Sequence, residues 1–155
     1  MGDNRYGSRD TDETVGKFYC DSLTDAGSSI YCSSGNSLAN AFFPSLGNHD
    51  YTDGAGLDEY LDYFSLPGAG IDTSGTSGSE RYYDFIKGPV HFFVLDSQGA
   101  LSSESDKMVQ MTWLQAQLAA SDASWQVNYF HHAPYSSALH GSINAMRWPF
   151  AAWGG

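Results

Sequence analysis

Basic residues are scarce in this chain of 155 residues. Seven Lys and Arg side chains stand against eighteen Asp and Glu, which gives a formal net charge of −11 with histidine neutral. Such a chain repels a polyanionic backbone and gains little from counterion release, so a nucleic-acid partner is not expected. Any anionic ligand would have to be attracted by a strongly positive local centre, and a bound metal ion is one such centre.

Cysteines and long apolar runs are scarce as well. No apolar run reaches the length of about 18 residues that a membrane span needs, and the first residues, "MGDNRYGS", have no signal-peptide core. Cys20 and Cys32 are the only cysteines, and their Ser- and Gly-rich surroundings leave a disulfide and two free thiols equally open. Few lysines and Gly/Ser-rich loops favour an exported protein, secreted or otherwise outside the cytoplasm.

The remaining composition is that of one ordinary globular domain. Hydrophobic residues make up 41% of the chain and aromatic residues 15%, enough for a single core. Apolar periodicity predicts helices at 57–66, 105–121 and 143–153, the last with a break near Pro149, and strands at 81–86, 89–97 and 125–130. Residues 7–40 are polar and predict loops around one or two helices. This order predicts an α/β fold with strands that are at least partly parallel.

Several finer features of these elements can be predicted. The apolar runs in the second and third strands indicate that both are buried, and His91 within the second is expected to be a packed core residue. Ser105 is a candidate N-cap for the long helix. One face of that helix is predicted to be apolar and carries Met108, Met111, Leu114 and Leu118.

Polar residues follow apolar runs at three places. These are "GDNRY" at 2–6, "GNHD" at 47–50, which follows an apolar run at 42–46 as if at the end of a buried strand, and "HHAPYSSALHGS" at 131–142. Four of the five histidines lie in the last two segments. In open α/β sheets ligands bind beyond the carboxyl ends of the strands, so these segments are the candidate site.

Taken together, these three segments resemble the calcineurin-like metallophosphoesterases, and more narrowly the branch that is similar to purple acid phosphatases. "QMTWLQAQL" and "MRWPFAAWGG" add to the resemblance, which covers nearly the whole chain and is poorest between residues 7 and 40. It implies a layered sheet sandwich flanked by helices. It also implies an acid-phosphatase-like hydrolysis of small phosphate monoesters by a hydroxide that two metal ions activate.

The resemblance assigns four residues to the metal ions. Asp3 would bridge the two ions, Tyr6 would bind a ferric ion as phenolate, and Asn48 and His132 would bind the second ion. The pair would be Fe(III) with Fe, Zn or Mn, since oxygen and imidazole ligands suit all three. Without the resemblance the same residues could be a turn aspartate, a packed aromatic ring, a helix cap and a loop histidine.

The resemblance gives two further histidines a catalytic role. His49 and His140 would stabilise the charge on the phosphoryl oxygens and protonate the leaving alkoxide. His131 has no clear role and would line the site. The family pattern also has an aspartate before "GDNRY" and a Gly-His-x-His segment at the end, and neither occurs here. We therefore expect residues 1–155 to be an internal part of a catalytic domain, active in the intact parent and inactive alone.

Two other functions stay open. "GNSLA" at 35–39 is a near match to the nucleophile elbow of serine hydrolases, with Ser37 as nucleophile, although the second elbow glycine is missing. A relative that binds phosphate but has lost its metals is the other alternative.

Overall fold

The computed structural model describes residues 2–24, 26–27, 30–33, 35, 37–73 and 77–154. Its regular elements are α1 (Lys17–Tyr19), α2 (Asn48–Thr52), α3 (Leu57–Tyr63), β1 (Tyr83–Lys87), β2 (Val90–Val94), α4 (Ser97–Ser102), α5 (Glu104–Ala120) and β3 (Trp125–Tyr129). In the described residues no helix has both the length and the apolar character needed to cross a membrane.

The strands form one mixed sheet in the order β1, β2, β3. β1 and β2 make an antiparallel hairpin, with Tyr83 opposite Val94, and β3 runs parallel to β2, with Trp125 opposite Val90. A parallel pair needs a long crossover, which α4 and α5 supply. Helices with a partly parallel sheet agree with the predicted α/β class. This is the only sheet among the described residues, so the layered sandwich stays a prediction.

β2 is covered on both faces, as its apolar sequence predicts. Phe92 and Val94 contact the core beside α3, whereas Phe93 and Leu95 contact a second core beneath α5. Alternate residues of a strand point to opposite faces, so one apolar strand contributes to both cores.

His91 is a core residue, which confirms the prediction for it. Its side chain is buried, with Nε2 2.9 Å from Asp84 Oδ2 and Nδ1 2.9 Å from Ser121 Oγ. Both ring nitrogens therefore have partners within the fold, as a buried polar group requires. His91 plays no part in the site described below.

The prediction that β3 is buried was wrong. Trp125 is 68% exposed and Val127 38% exposed. Within the described residues β3 pairs only with β2, so it forms an edge of the sheet. An apolar run alone does not distinguish an edge strand from a central one.

The N-cap of the long helix lies two residues earlier than predicted. Ser103, and not Ser105, is the N-cap of α5, and its hydroxyl accepts a hydrogen bond from Asp106 N at 3.2 Å. Of the predicted apolar face Leu114 and Leu118 are buried and Met111 is partly buried, but Met108 is 52% exposed.

The apolar run at 42–46 is buried at Leu46 but is not a strand. Its carbonyl groups bond to tyrosine hydroxyls instead of a neighbouring strand: Tyr60 and Tyr83 donate to Pro44 O, and Tyr129 donates to Phe43 O. Proline has no N–H for a strand ladder, which explains the difference.

The predictions for residues 143–153 and for the polar region 7–40 agree in part with the structure. The segment 143–153 forms two short 3₁₀ turns, Asn144–Met146 and Phe150–Trp153, on either side of Pro149, and not a continuous helix. In the polar region an irregular helix runs through Asp12–Gly16, α1 and Cys20–Ser22, as predicted.

Cys20 and Cys32 form a disulfide across a separation of 12 residues. Closing such a loop lowers the entropy of the unfolded chain and stabilises the fold by about 3 kcal/mol in the chain-entropy model. We therefore expect Cys20→Ser/Cys32→Ser to lower the free energy of unfolding by about that amount in urea titrations. Thiol counting on denatured, unreduced protein is the control, and two reactive thiols there would contradict the pairing.

Candidate functional site

A cavity of about 620 Å³ lies beyond the carboxyl end of β3. Its wall contains all six residues that the resemblance assigns to metal binding or catalysis, together with His131. These residues are Asp3, Tyr6, Asn48, His49, His132 and His140. Three segments that are distant in sequence therefore meet at one surface.

The side chains of Asp3, Asn48 and His131 converge within the cavity. The Nε2 atom of His131 lies 3.1 Å from Asn48 Oδ1 and 3.4 Å from Asp3 Oδ2. The backbone N–H of His49 donates to the other Asp3 oxygen, Oδ1, at 3.0 Å. A carboxylate, an amide oxygen and an imidazole thus converge, and the imidazole is that of His131, which has no clear role in the motif pattern.

Two glycines allow these loops to approach so closely. A side chain at Gly47 would overlap the carboxylate of Asp3, and one at Gly2 would overlap the ring of His131. Gly2 also has a φ of 77°, a conformation that favours glycine. Gly2 and Gly47 are therefore needed because a site residue from another segment lies directly against each of them.

Asp50 connects the first two motifs through hydrogen bonds to its buried carboxylate. Its carboxylate accepts hydrogen bonds from Asn4 N at 2.9 Å, Asn4 Nδ2 at 3.0 Å and Gly47 N at 2.8 Å. Asp50 is buried, and burial raises the pKa of its carboxyl group while these donors oppose the rise. This aspartate holds "GDNRY" against "GNHD" and was not recognised from the sequence, although it belongs to one of the motifs.

Tyr6 lies at the mouth of the cavity. Its hydroxyl donates to Asp3 Oδ2 at 2.9 Å, and its ring lies 4.4 Å from that of His49. The hydrogen bond to Asp3 is the main cause that raises the pKa of Tyr6 above its usual 10.0.

His49 is held by Asp53, a residue that sequence reasoning missed. The His49 Nδ1 atom lies 2.7 Å from Asp53 Oδ2, and the same oxygen accepts the backbone N–H of Gly7 at 2.7 Å. The hydrogen bond to Asp53 is the main cause that raises the pKa of His49. The spacing of four residues from His49 to Asp53 along α2 and its C-cap is the sequence signal that could have revealed this pair.

His132 faces a different partner from His131. Ser97 Oγ lies 2.9 Å from His132 Nδ1 and accepts the backbone N–H of His132 at 3.2 Å. Burial, followed by the neighbouring His131, lowers the pKa of His132 below its usual 6.5, so its imidazole is neutral at pH 7. Ser97 opens α4 just after β2, and β2 and β3 are parallel, so both residues lie at the same end of the sheet.

His140 comes from a loop that closes on itself. The N–H of Ile143 donates to Ala133 O at 2.9 Å, and the N–H of Gly141 donates to Ala138 O at 2.9 Å. Gly141 has a φ of 69°, which suits the turn that follows His140. The loop places His140 on the wall of the cavity.

The donor groups of the cavity fit the coordination shell of one metal ion in part. In the described part of the chain no three His, Cys, Asp or Glu side chains form a group that could hold one. Asp3 and His131 are two such residues, and the amide of Asn48 is the third donor. Atoms that share an ion at about 2.1 Å are themselves roughly 3 to 3.5 Å apart, which the separations of 3.1 and 3.4 Å match. These residues fit part of the coordination shell of one ion.

No family model, no curated protein and no solved structure matches this chain.

Proposed function

We propose that this protein, as its gene encodes it, is a metal-dependent phosphatase that hydrolyses small phosphate monoesters. The observation that carries the proposal is the meeting of three separate motifs in one cavity of about 620 Å³. Residues 2–6, 47–50 and 131–142 are the three polar motifs that resemble those of purple acid phosphatases, and each contributes side chains to that cavity. The layered sandwich and an extracytoplasmic location belong to the same proposal, and the disulfide supports the latter.

The proposed metal ligands are Asp3, Asn48 and an imidazole, with Tyr6 as a ligand for iron in the ferric state. Two bound ions, Fe(III) with Fe, Zn or Mn, would supply the positive charge that attracts a phosphate to this acidic chain and would lower the pKa of the attacking water. The contacts of His131 with Asp3 and Asn48 favour it over His132 as the imidazole. His132 would then be a neutral neighbour that is held by Ser97.

The other side chains of the cavity would act on the substrate directly. His49 and His140 lie on the cavity wall, where protonated imidazole groups can donate hydrogen bonds to phosphoryl oxygens. One of them would also give its proton to the leaving alkoxide. Asp53 Oδ2 lies 2.7 Å from His49 Nδ1, where a carboxylate stabilises the protonated imidazole that this step needs.

Replacing single ligands tests the metal assignment. We expect Asn48→Ala and His131→Ala to lower the metal content of the purified protein, measured by elemental analysis after dialysis, because each removes one of few donor atoms. Asn144→Ala changes an exposed asparagine outside the cavity and should leave the metal content unchanged. If His132→Ala lost metal and His131→Ala did not, His132 would be the imidazole ligand.

A phosphate-binding protein without catalysis is the second candidate, and the sparse donor set of the described residues favours it. Calorimetric binding of inorganic phosphate by a protein that never hydrolyses p-nitrophenyl phosphate would support it against the phosphatase. The serine-hydrolase alternative has less support, since the Ser37 hydroxyl bonds to the Ala39 carbonyl of its own loop, which cannot act as a base.

A further inference from the structure

We propose that Asp53 is the positioning residue of His49, which it holds with Nδ1–H donated to the carboxylate so that Nε2 is left for the substrate. The catalytic consequence of this assignment rests on the proposed function. The ring orientation does not, because it follows from contacts within the described structure.

The carboxylate of Asp53 is fixed from two sides. Its Oδ2 atom accepts both His49 Nδ1–H and Gly7 N–H, each at 2.7 Å, and Thr52 Oγ1 lies 3.3 Å from Oδ1. The Asp53 backbone N–H also donates to His49 O at 3.0 Å. The donor from Gly7 connects Asp53 to the motif at 2–6, so the acceptor for His49 is tied to both loops of the site.

The ring of His49 is confined on its face as well as at its edge. Tyr6 packs against the ring at 4.4 Å between centroids, and the His49 backbone N–H is held by Asp3. The two other nearby carboxylates have other donors, since Asp3 accepts from Tyr6 and Asp50 accepts from Asn4 and Gly47. Asp53 is therefore the carboxylate that meets a ring nitrogen of His49.

The chemical consequence follows from the two nitrogens of imidazole. A carboxylate can only accept, so the nitrogen facing it must carry hydrogen. When Nδ1 carries this hydrogen, Nε2 accepts a hydrogen bond in the neutral ring and donates one in the charged ring. Nε2 of the charged ring is therefore the atom from which an acid catalyst would give its proton. Without Asp53 the ring would be free to exchange tautomers and to rotate about its last side-chain bond.

Nitrogen NMR on the metal-free 155-residue chain tests the orientation directly. Two-bond ¹H–¹⁵N correlations at a pH where His49 is neutral should identify the Nδ1–H tautomer in the wild type. In Asp53→Asn the amide can donate to Nδ1 as readily as it accepts, so the pattern should move towards Nε2–H. Unchanged signals of the buried His91 show that the variant is folded, and Asp58→Asn, an exposed carboxylate on α3, removes the same charge as a control. The same His49 tautomer in wild type and Asp53→Asn would overturn the assignment.

Kinetics on the protein as its gene encodes it test the catalytic consequence. Asp53→Asn should lower kcat for p-nitrophenyl phosphate roughly tenfold, with KM and metal content kept, and Asp58→Asn should change none of the three. An unchanged kcat in Asp53→Asn would overturn the positioning role. If the wild-type protein hydrolyses no phosphate ester, the proposed function fails. The NMR experiment still decides whether Asp53 sets the tautomer of His49, because it does not depend on activity.

Discussion

His49→Ala and His140→Ala are each expected to lower kcat for phosphate monoesters by about 10² or more and to leave the bound metal unchanged. General acid catalysis contributes roughly 10²- to 10⁴-fold, and each histidine lies on the cavity wall outside the group of Asp3, Asn48 and His131. Steady-state kinetics and elemental analysis of the same preparations measure both quantities.

Leu139→Ala is the matched control for the loop that carries His140. Leu139 is 99% exposed, so its truncation perturbs the chain beside His140 without removing a buried contact, and kcat should not change. Loss of metal in His49→Ala or His140→Ala would make that residue a ligand. A kcat within a factor of two or so of wild type would contradict its catalytic role.

Arg81→Met is expected to lower the free energy of unfolding by about 3 kcal/mol. The Arg81 guanidinium donates to Asp96 Oδ2 at 2.8 Å and to Asp106 Oδ2 at 2.8 Å, and Asp96 is fully buried. Removing one partner of such a pair leaves a buried charge uncompensated, which typically costs about 3 to 5 kcal/mol. Arg81 is itself partly exposed, so the lower end of that range applies. Urea denaturation followed by circular dichroism measures the change.

An exposed ion pair supplies the control for this prediction. Lys107 binds Glu104, which is 75% exposed, so Lys107→Met should change the free energy of unfolding by about 1 kcal/mol or less. Equal effects in Arg81→Met and Lys107→Met would contradict the importance of burial at Asp96. Asp96 precedes Ser97, the partner of His132, so the same pair anchors one side of the site.

The elements near the site were predictable because their sequences carry local signals. The strands at 83–87 and 90–94 are apolar runs bounded by turn residues, and His91 was recognised as a core residue from its apolar neighbours. The exposure of one face of β3 could not be predicted, because it depends on which strand lies beside β3 in the sheet. The N-cap of α5 was missed by two residues because Ser102, Ser103 and Ser105 all have the chemistry of a cap.

The candidate site was predictable only to the extent of its motifs. Glycine-flanked polar residues marked Asp3, Asn48 and His49, but no local pattern supports a preference for His131 over the adjacent His132. That preference follows from tertiary contacts with Asp3 and Asn48, which come from segments more than 80 residues away. The roles of Asp50 and Asp53 likewise depend on Asn4 in the first motif and on Gly7 just after it, two donors that no local pattern connects to these aspartates.

The hydrolysis of p-nitrophenyl phosphate before and after metal removal tests whether this cavity is a metallophosphatase site. The protein as its gene encodes it is dialysed against a chelator, assayed, and assayed again after iron, zinc or manganese is returned. We expect the chelator to abolish turnover and at least one of these metals to restore it. Turnover that survives complete metal removal, or no turnover with any of the three metals, would contradict the assignment of this cavity as a metallophosphatase site.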